Sequence, residues 1–288
     1  MRSNRHPLYS LLPSIALALT PILTEAAVVE VAQTGVITHS PCPSFCGGPG
    51  GVFLSDFDGG VGFTTSFSSI SNSDGNAQAR ADLNGPTELP VLRAQGFSQA
   101  NSRATGEAVG MQGFFYNGAG SGTYNLDVVL TGIANDPNPS PNTTDGNVSA
   151  HVLIFRDNDP TTATDFSTDY STLKFEILSL SGSGELEELA DAGQTLTIVP
   201  DNLVHSVPTT LSISGLNTGD LIYVWASLIG SGTRSGFGNG FSTLNLAFQD
   251  PSGLSHSAVP IPAAGLLFAP ALLMLGALRT RRAARGWA

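Results

Sequence analysis

The feature that most constrains this chain is the way its apolar residues are punctuated. From Val28 onward they come in short bursts, such as VVEVAQTGVITH, VFLSDF, VGFTTSFSSI, STLKFEILSL and DLIYVWASLIG, and the bursts are separated by stretches rich in Gly, Asn, Asp, Ser or Pro. A helix needs apolar residues three and four apart over roughly ten or more positions, whereas a strand needs only alternation or an apolar run over about four to eight. Repeated short bursts without helical periods restrict the chain to antiparallel sheets. With 33 Gly and 18 Pro the composition also suits a disordered linker. Regular apolar bursts argue against that, because they supply surface to bury.

A pass along the body predicts about a dozen strands, as expected of an all-β, β-sandwich or jelly-roll-like domain. Asp58-Gly59-Gly60 reads as a turn between VFLSDF and VGFTTSFSSI. AVGMQGFFYNG and TYNLDVVLTGIA flank the Gly-rich AGSG and read as the arms of a hairpin. NDPNPSPNTTDGN, from Asn135 to Asn147, is a proline-broken loop. DLIYVWASLIG is the most apolar burst and is expected to be central and buried on both faces. Gly184 to Ala192, containing ELEELADA, looks briefly helical, though an acidic solvated hairpin explains it equally well. GFGNG, Gly236 to Gly240, lies between β-like runs with no helix after it, so it reads as a flexible turn and not a phosphate cradle.

The two ends are unlike the body. Arg2 and Arg5 precede a mostly apolar stretch containing LLPSIALALTPIL, and Thr24-Glu25-Ala26-Ala27 follows. Basic, apolar and small segments in that order are a secretory signal peptide, with cleavage expected after Ala26. At the other end Ala263 to Leu278 carries no charge, and Arg279, Arg281, Arg282 and Arg285 come directly after it. Clustered cations after an apolar run mark the cytoplasmic flank of a membrane segment. The expected organisation is therefore a signal peptide over 1–26, an ectodomain over 27–257 and a membrane-anchored tail over 258–288, with the body on the periplasmic side.

Val259-Pro260-Ile261-Pro262-Ala263, the apolar run and the terminal arginines come in one order at the extreme C-terminus. That arrangement resembles the PEP-CTERM sorting signal of Gram-negative bacteria, in particular its Val-Pro-Leu-Pro-Ala variant. The family's central Glu is Ile261 here, and the variant's Leu is also Ile. The resemblance implies an exosortase-type sorting enzyme as partner, a transient single transmembrane sorting helix, and a final location at the cell surface or outside it. It also implies an association of the body with exopolysaccharide or biofilm matrix.

Charge and motifs narrow the function further. Six of the 12 Lys+Arg and one of the 23 Asp+Glu lie in the two ends, leaving 6 against 22 in the body, a net of −16. A surface of that sign repels phosphate backbones, so nucleic acid is not an expected partner. Cys42 and Cys46 are the only cysteines, and in an exported chain they are expected to form a disulfide; a metal site is the rival reading, though it needs two further ligands and only His39 lies close by. Asp157, Asp159, Asp165 and Asp169 crowd RDNDPTTATDFSTD, a candidate Ca²⁺ loop that lacks the spacing and bidentate Glu of an EF-hand. A solvated turn of the same residues is the competing reading. No nucleophile elbow, zinc helix or P-loop is present, and the histidines are scattered. Glu185, Glu187 and Glu188 share one segment and not two sides of a cleft. The body is expected to be a non-enzymatic matrix protein without a resident cofactor. The alternative is a carbohydrate-binding module or glycan hydrolase on a jelly-roll scaffold.

Overall fold

The apolar bursts fold as strands because alternation puts one set of side chains inside and the other outside. The computed structural model describes residues 30–40, 52–61, 65–85, 88–99, 102–118, 122–137, 145–158, 186–192 and 196–255. In chain order its strands are β1 (Val31–Ser40), β2 (Val52–Val61), β3 (Thr65–Asn72), β4 (Gly75–Asp82), β5 (Val91–Ser98), β6 (Arg103–Tyr116) and β7 (Gly122–Asn135). They continue with β8 (Gly146–Asp157), β9 (Leu186–Asp191), β10 (Leu196–Thr197), β11 (Asp201–Leu216), β12 (Leu221–Thr233), β13 (Phe237–Phe248) and β14 (Leu254–Ser255). No helix occurs among the described residues.

Two antiparallel sheets result, facing each other as a sandwich. The first has the order β10-β8-β12-β6-β1-β2, with β9 on β8 and β14 on β6; the second has the order β11-β7-β13-β5-β4-β3. β12 lies between β6 and β8, and its residues Leu221 to Leu228 are buried on both faces, as the sequence led us to expect.

Four local expectations are corrected. Asp58-Gly59-Gly60 lies inside β2, paired with Thr34, Gln33 and Ala32 of β1, and is not a turn. β6 and β7 belong to different sheets, so the chain crosses the sandwich between them and forms no hairpin. ELEELADA supplies β9, a short strand on β8 and not a helix. GFGNG opens β13 and pairs with β5 and β7.

The core is graded along the strands. At one end it is filled by Leu126, Ile213, Leu246 and a set of edge-to-face rings, Phe114–Phe248 at 5.6 Å and Tyr116–Tyr124 at 5.7 Å. At the other end the facing positions are Ala77, Ala79, Ala94 and Ala104 with glycines between them. There the backbones nearly touch: a Cβ on Gly96 would sit 2.3 Å from the Ala104 carbonyl oxygen, and one on Gly106 would sit 2.3 Å from that of Gln78. The sandwich is a wedge, wide at the Phe248 end and narrow at the Phe237 end.

A second apolar cluster lies on the opposite face of the first sheet. Met111, Phe115, Leu153, Phe155, Tyr223 and Trp225 are all buried there, with Phe155 stacked on Tyr223 at 5.4 Å. Burying each such side chain is worth roughly 1.5–3 kcal/mol.

Candidate functional site

The narrow end brings residues from β4, β5 and β13 onto the outer face of the second sheet. Register pairs Asn76 with Phe97 and Phe97 with Phe237, and the next row in places Gln78, Gln95 and Asn239 side by side. Asn76, Gln95, Phe97, Phe237 and Asn239 line a shallow trough of about 220 Å³ whose floor includes Gly96 and Gly238. Phe97 remains 44% exposed there.

Hydrogen bonding in the trough is unfinished. Gln95 donates from Nε2 to Gln78 Oε1 at 3.1 Å, and Asn239 Oδ1 accepts from the Phe241 backbone N–H at 2.9 Å. The second interaction leaves the Asn239 side-chain NH₂ as a donor. Asn76 Oδ1 has no donor, and neither has Arg93 Nε an acceptor, one row further along β5.

Backbone strain is concentrated around the same place. Among the described residues the non-glycine residues at positive φ are Asn202, Arg234, Ser235 and Thr243. Arg234 (φ 47) and Ser235 (φ 74) occupy the two central positions of the turn between β12 and β13, closed by the Gly236 N–H on Thr233 O at 2.7 Å. That is a type I′ turn, which ordinarily takes Asn-Gly. Thr243, at φ 123, sits at the end of a bulge where β13 loses register with both neighbours. Asn202 follows Asp201, whose partner Asn135 lies opposite Phe237.

The turn is held by many contacts. Arg234 Nε donates to Asp145 Oδ1 at 2.7 Å, and that carboxylate is fully buried. The Ser235 N–H donates to Ser98 Oγ at 3.1 Å, and the Arg234 N–H to Ser102 O at 3.1 Å. Strained residues persist only where surroundings over-determine them, and they gather at binding and catalytic sites.

Cys42, Cys46, Asp159, Asp165 and Asp169 fall outside the described residues, as do Val259, Pro260, Ile261, Pro262, Ala263 and the terminal arginines. Asp157 ends β8 at the wide end and is buried beside Leu221 and Leu186. Among the described residues no three His, Cys, Asp or Glu converge on a point that holds a metal, and no helix is long and apolar enough to cross a membrane.

The structure does assemble one triad-like composition, on the outer face of the first sheet. His151 donates from Nε2 to Asp191 at 3.0 Å, packs edge-on against Trp225, and lies opposite Ser227. The Ser227 hydroxyl, however, donates to Glu107 at 3.0 Å, and the serine is 2% exposed. A nucleophile must be open and bonded to its base, and this one is neither. Glu187 is spent on Arg156, whose guanidinium pKa is raised by hydrogen bonds to Glu187 and Asp220.

The trough was not visible in sequence. Phe97 and Phe237 each follow a glycine, a context that reads as a turn, and only a register joining strands far apart in the chain makes them neighbours. No protein-family model matches the chain, and no curated protein matches it in sequence.

Proposed function

We propose that this protein is an exported, non-enzymatic surface or matrix protein whose β-sandwich body associates with exopolysaccharide. Its C-terminal segment serves as an exosortase-type sorting signal that tethers the precursor to the inner membrane until processing. The observation that carries the reading of the body is the trough on the outer face of the second sheet. It has an exposed aromatic surface, an open ring of amides, strained flanks and no carboxylate among its lining residues. A glycosidase needs two carboxylates across its cleft, so this lining favours binding without hydrolysis. Trp225 is buried and belongs to packing, and Phe97 and Phe237 give the trough its aromatic surface.

The position of the trough supports the sorting reading as well. β14, the last described strand, pairs with Phe115 and Tyr116 at the wide end. β13 runs from Phe237 beside the trough to Phe248 at that end, roughly 35 Å at about 3.3 Å per residue. A body tethered through its C-terminus thus presents the trough away from the membrane.

The test is expression of the full precursor, with and without a sorting enzyme, in a Gram-negative cell that makes exopolysaccharide. The expected result is a shortened body outside the cell that co-sediments with the polysaccharide and releases no reducing sugar from it. Full-length protein in the cytoplasm, or a body outside the cell free of matrix, overturns the reading.

A further inference from the structure

Resting on the reading of the body as a polysaccharide-associated protein, we propose that the narrow-end trough is a subsite for an uncharged sugar unit of a glycan chain. The ring's C–H face lies on Phe97 and Phe237, and its hydroxyls bond Asn76, Gln95 and Asn239.

Three independent features of the trough select this chemistry. A pyranose presents axial C–H groups on one face, and these carry slight positive charge that suits the negative face of an aromatic ring. Phe97 and Phe237 are register partners on adjacent strands, so their side chains leave the sheet about a strand spacing apart, roughly 5 Å and close to one sugar ring. Second, the rim offers both hydrogen-bonding senses: Asn76 Oδ1 lacks a donor, while Asn239 has its NH₂ to give. A hydroxyl is donor and acceptor at once, so one sugar edge completes both. Asn76 is half-buried on the wall and its Oδ1 is buried in the unbound protein, so pairing with the ligand requires its carboxamide to turn outward. Third, the strained turn and bulge fix both ends of this stretch of β13, so the platform is set before the ligand arrives.

Charge distinguishes a neutral unit from an acidic one. No lining residue of the trough is ionisable, and the body carries a net charge of −16, six cations against 22 acids. Arg93, next along the face, has no acidic partner, and an acidic sugar would supply one. The ring hydroxyls of an acidic sugar would serve Asn76 as those of a neutral sugar do, so its carboxylate is what discriminates. It would enter against the repulsion of the whole body. A hydroxyl or ring oxygen of the neighbouring unit is acceptor enough for the Arg93 N–H. The chain direction that joins the trough to Arg93 runs along β5, with Gln95 between them.

The experiment uses the full-length protein in detergent, immobilised and exposed to dextran, mixed-linkage β-glucan and galactomannan as neutral probes and to alginate as the polyuronate. Binding of at least one neutral probe is expected, unchanged by chelator and by about 0.5 M salt, which screens charge–charge attraction. Phe97→Ala and Phe237→Ala should each weaken it at least tenfold, and Asn76→Ala severalfold, with melting temperature unchanged for the exposed Phe97. Phe97→Tyr should retain binding, showing that the ring and not the fold is what was lost. Alginate binding that salt or chelator abolishes, or neutral-glycan binding indifferent to Phe97 and Phe237, overturns the subsite. Matrix co-sedimentation that survives both Phe substitutions refutes the trough while leaving the broader function standing. Loss of matrix association in the unaltered protein refutes the function itself.

Discussion

Ser235 stands where a type I′ turn normally has glycine, with φ at +74° and no side-chain contact of its own in the turn. An L-residue held in the left-handed region costs roughly 1–2 kcal/mol, part of which glycine gives back through the entropy of its unfolded chain. Ser235→Gly is therefore expected to stabilise the protein by about 0.5 kcal/mol, or roughly 1–2 °C in melting temperature for a domain of this size. Arg234→Gly relieves similar strain but takes the guanidinium from the buried Asp145 carboxylate. The net result should be a loss of about 1–3 kcal/mol, because an undercompensated buried charge outweighs a relaxed φ. Urea unfolding of both variants checks the pair: the two changes should move the midpoint in opposite directions. Neither residue advertises this role in sequence. RSG reads as a plain turn, and what makes Arg234 tolerable there is an aspartate 89 positions earlier in the chain.

Among elements, the strands were legible and their partners were not. DLIYVWASLIG announces a strand buried on both faces because no solvated face could carry that many apolar residues, and β12 is that strand. At DGG and GFGNG glycine suggests a turn, because freedom at positive φ is the one local reason a sequence offers for it. In β13 the operative reason is non-local, since Gly238 faces the Asn147 carbonyl where the sheets converge and no Cβ fits. The same cause makes Gly96→Ala a sharp test of the wedge. Its methyl group would meet backbone and not a movable side chain, so a loss of about 3 kcal/mol or failure to fold is expected, far more than the fractional cost usual for glycine to alanine in a strand. A milder test sits at the start of β11. A hydrogen bond from His205 and another from the Leu203 N–H hold the Asp201 carboxyl below the usual carboxylate range. The stabilisation is present above the ordinary carboxylate pKa of about 3.9 and is lost as pH falls through the lowered value. Asp201→Asn should lower stability slightly near neutrality, where the carboxylate's contribution is in force, and flatten the stability–pH curve below about pH 4, a small effect because the pair is exposed.

At the scale of the whole molecule the two ends of the wedge have different duties, and the division makes a prediction about processing. The wide end holds the aromatic core and the last described strand, and within a few residues of Ser255 the chain reaches Val259-Pro260-Ile261-Pro262. On the proposed reading such a tether would give the body little slack, since four residues at full extension reach only about 14 Å. The apolar run from Ala263 to Leu278 is shorter than the roughly 20 residues of a comfortable span, and Pro270 interrupts it, as suits an anchor meant to be removed. On the proposed sorting reading, Arg279, Arg281, Arg282 and Arg285 would hold its far end on the cytoplasmic side and put the proline pair near the outer membrane–water boundary. Proline in a sequence favours an extended backbone, the form in which a protease groove accepts a peptide. Replacing all four arginines with glutamine should leave folding of the body intact while impairing membrane retention and cleavage, so that uncut chain accumulates. Intact-mass measurement of the protein released by unaltered cells decides the matter. A mass lacking everything beyond the Pro262 region is the expected result, and a released chain that still carries Trp287 would show that the segment is no sorting signal.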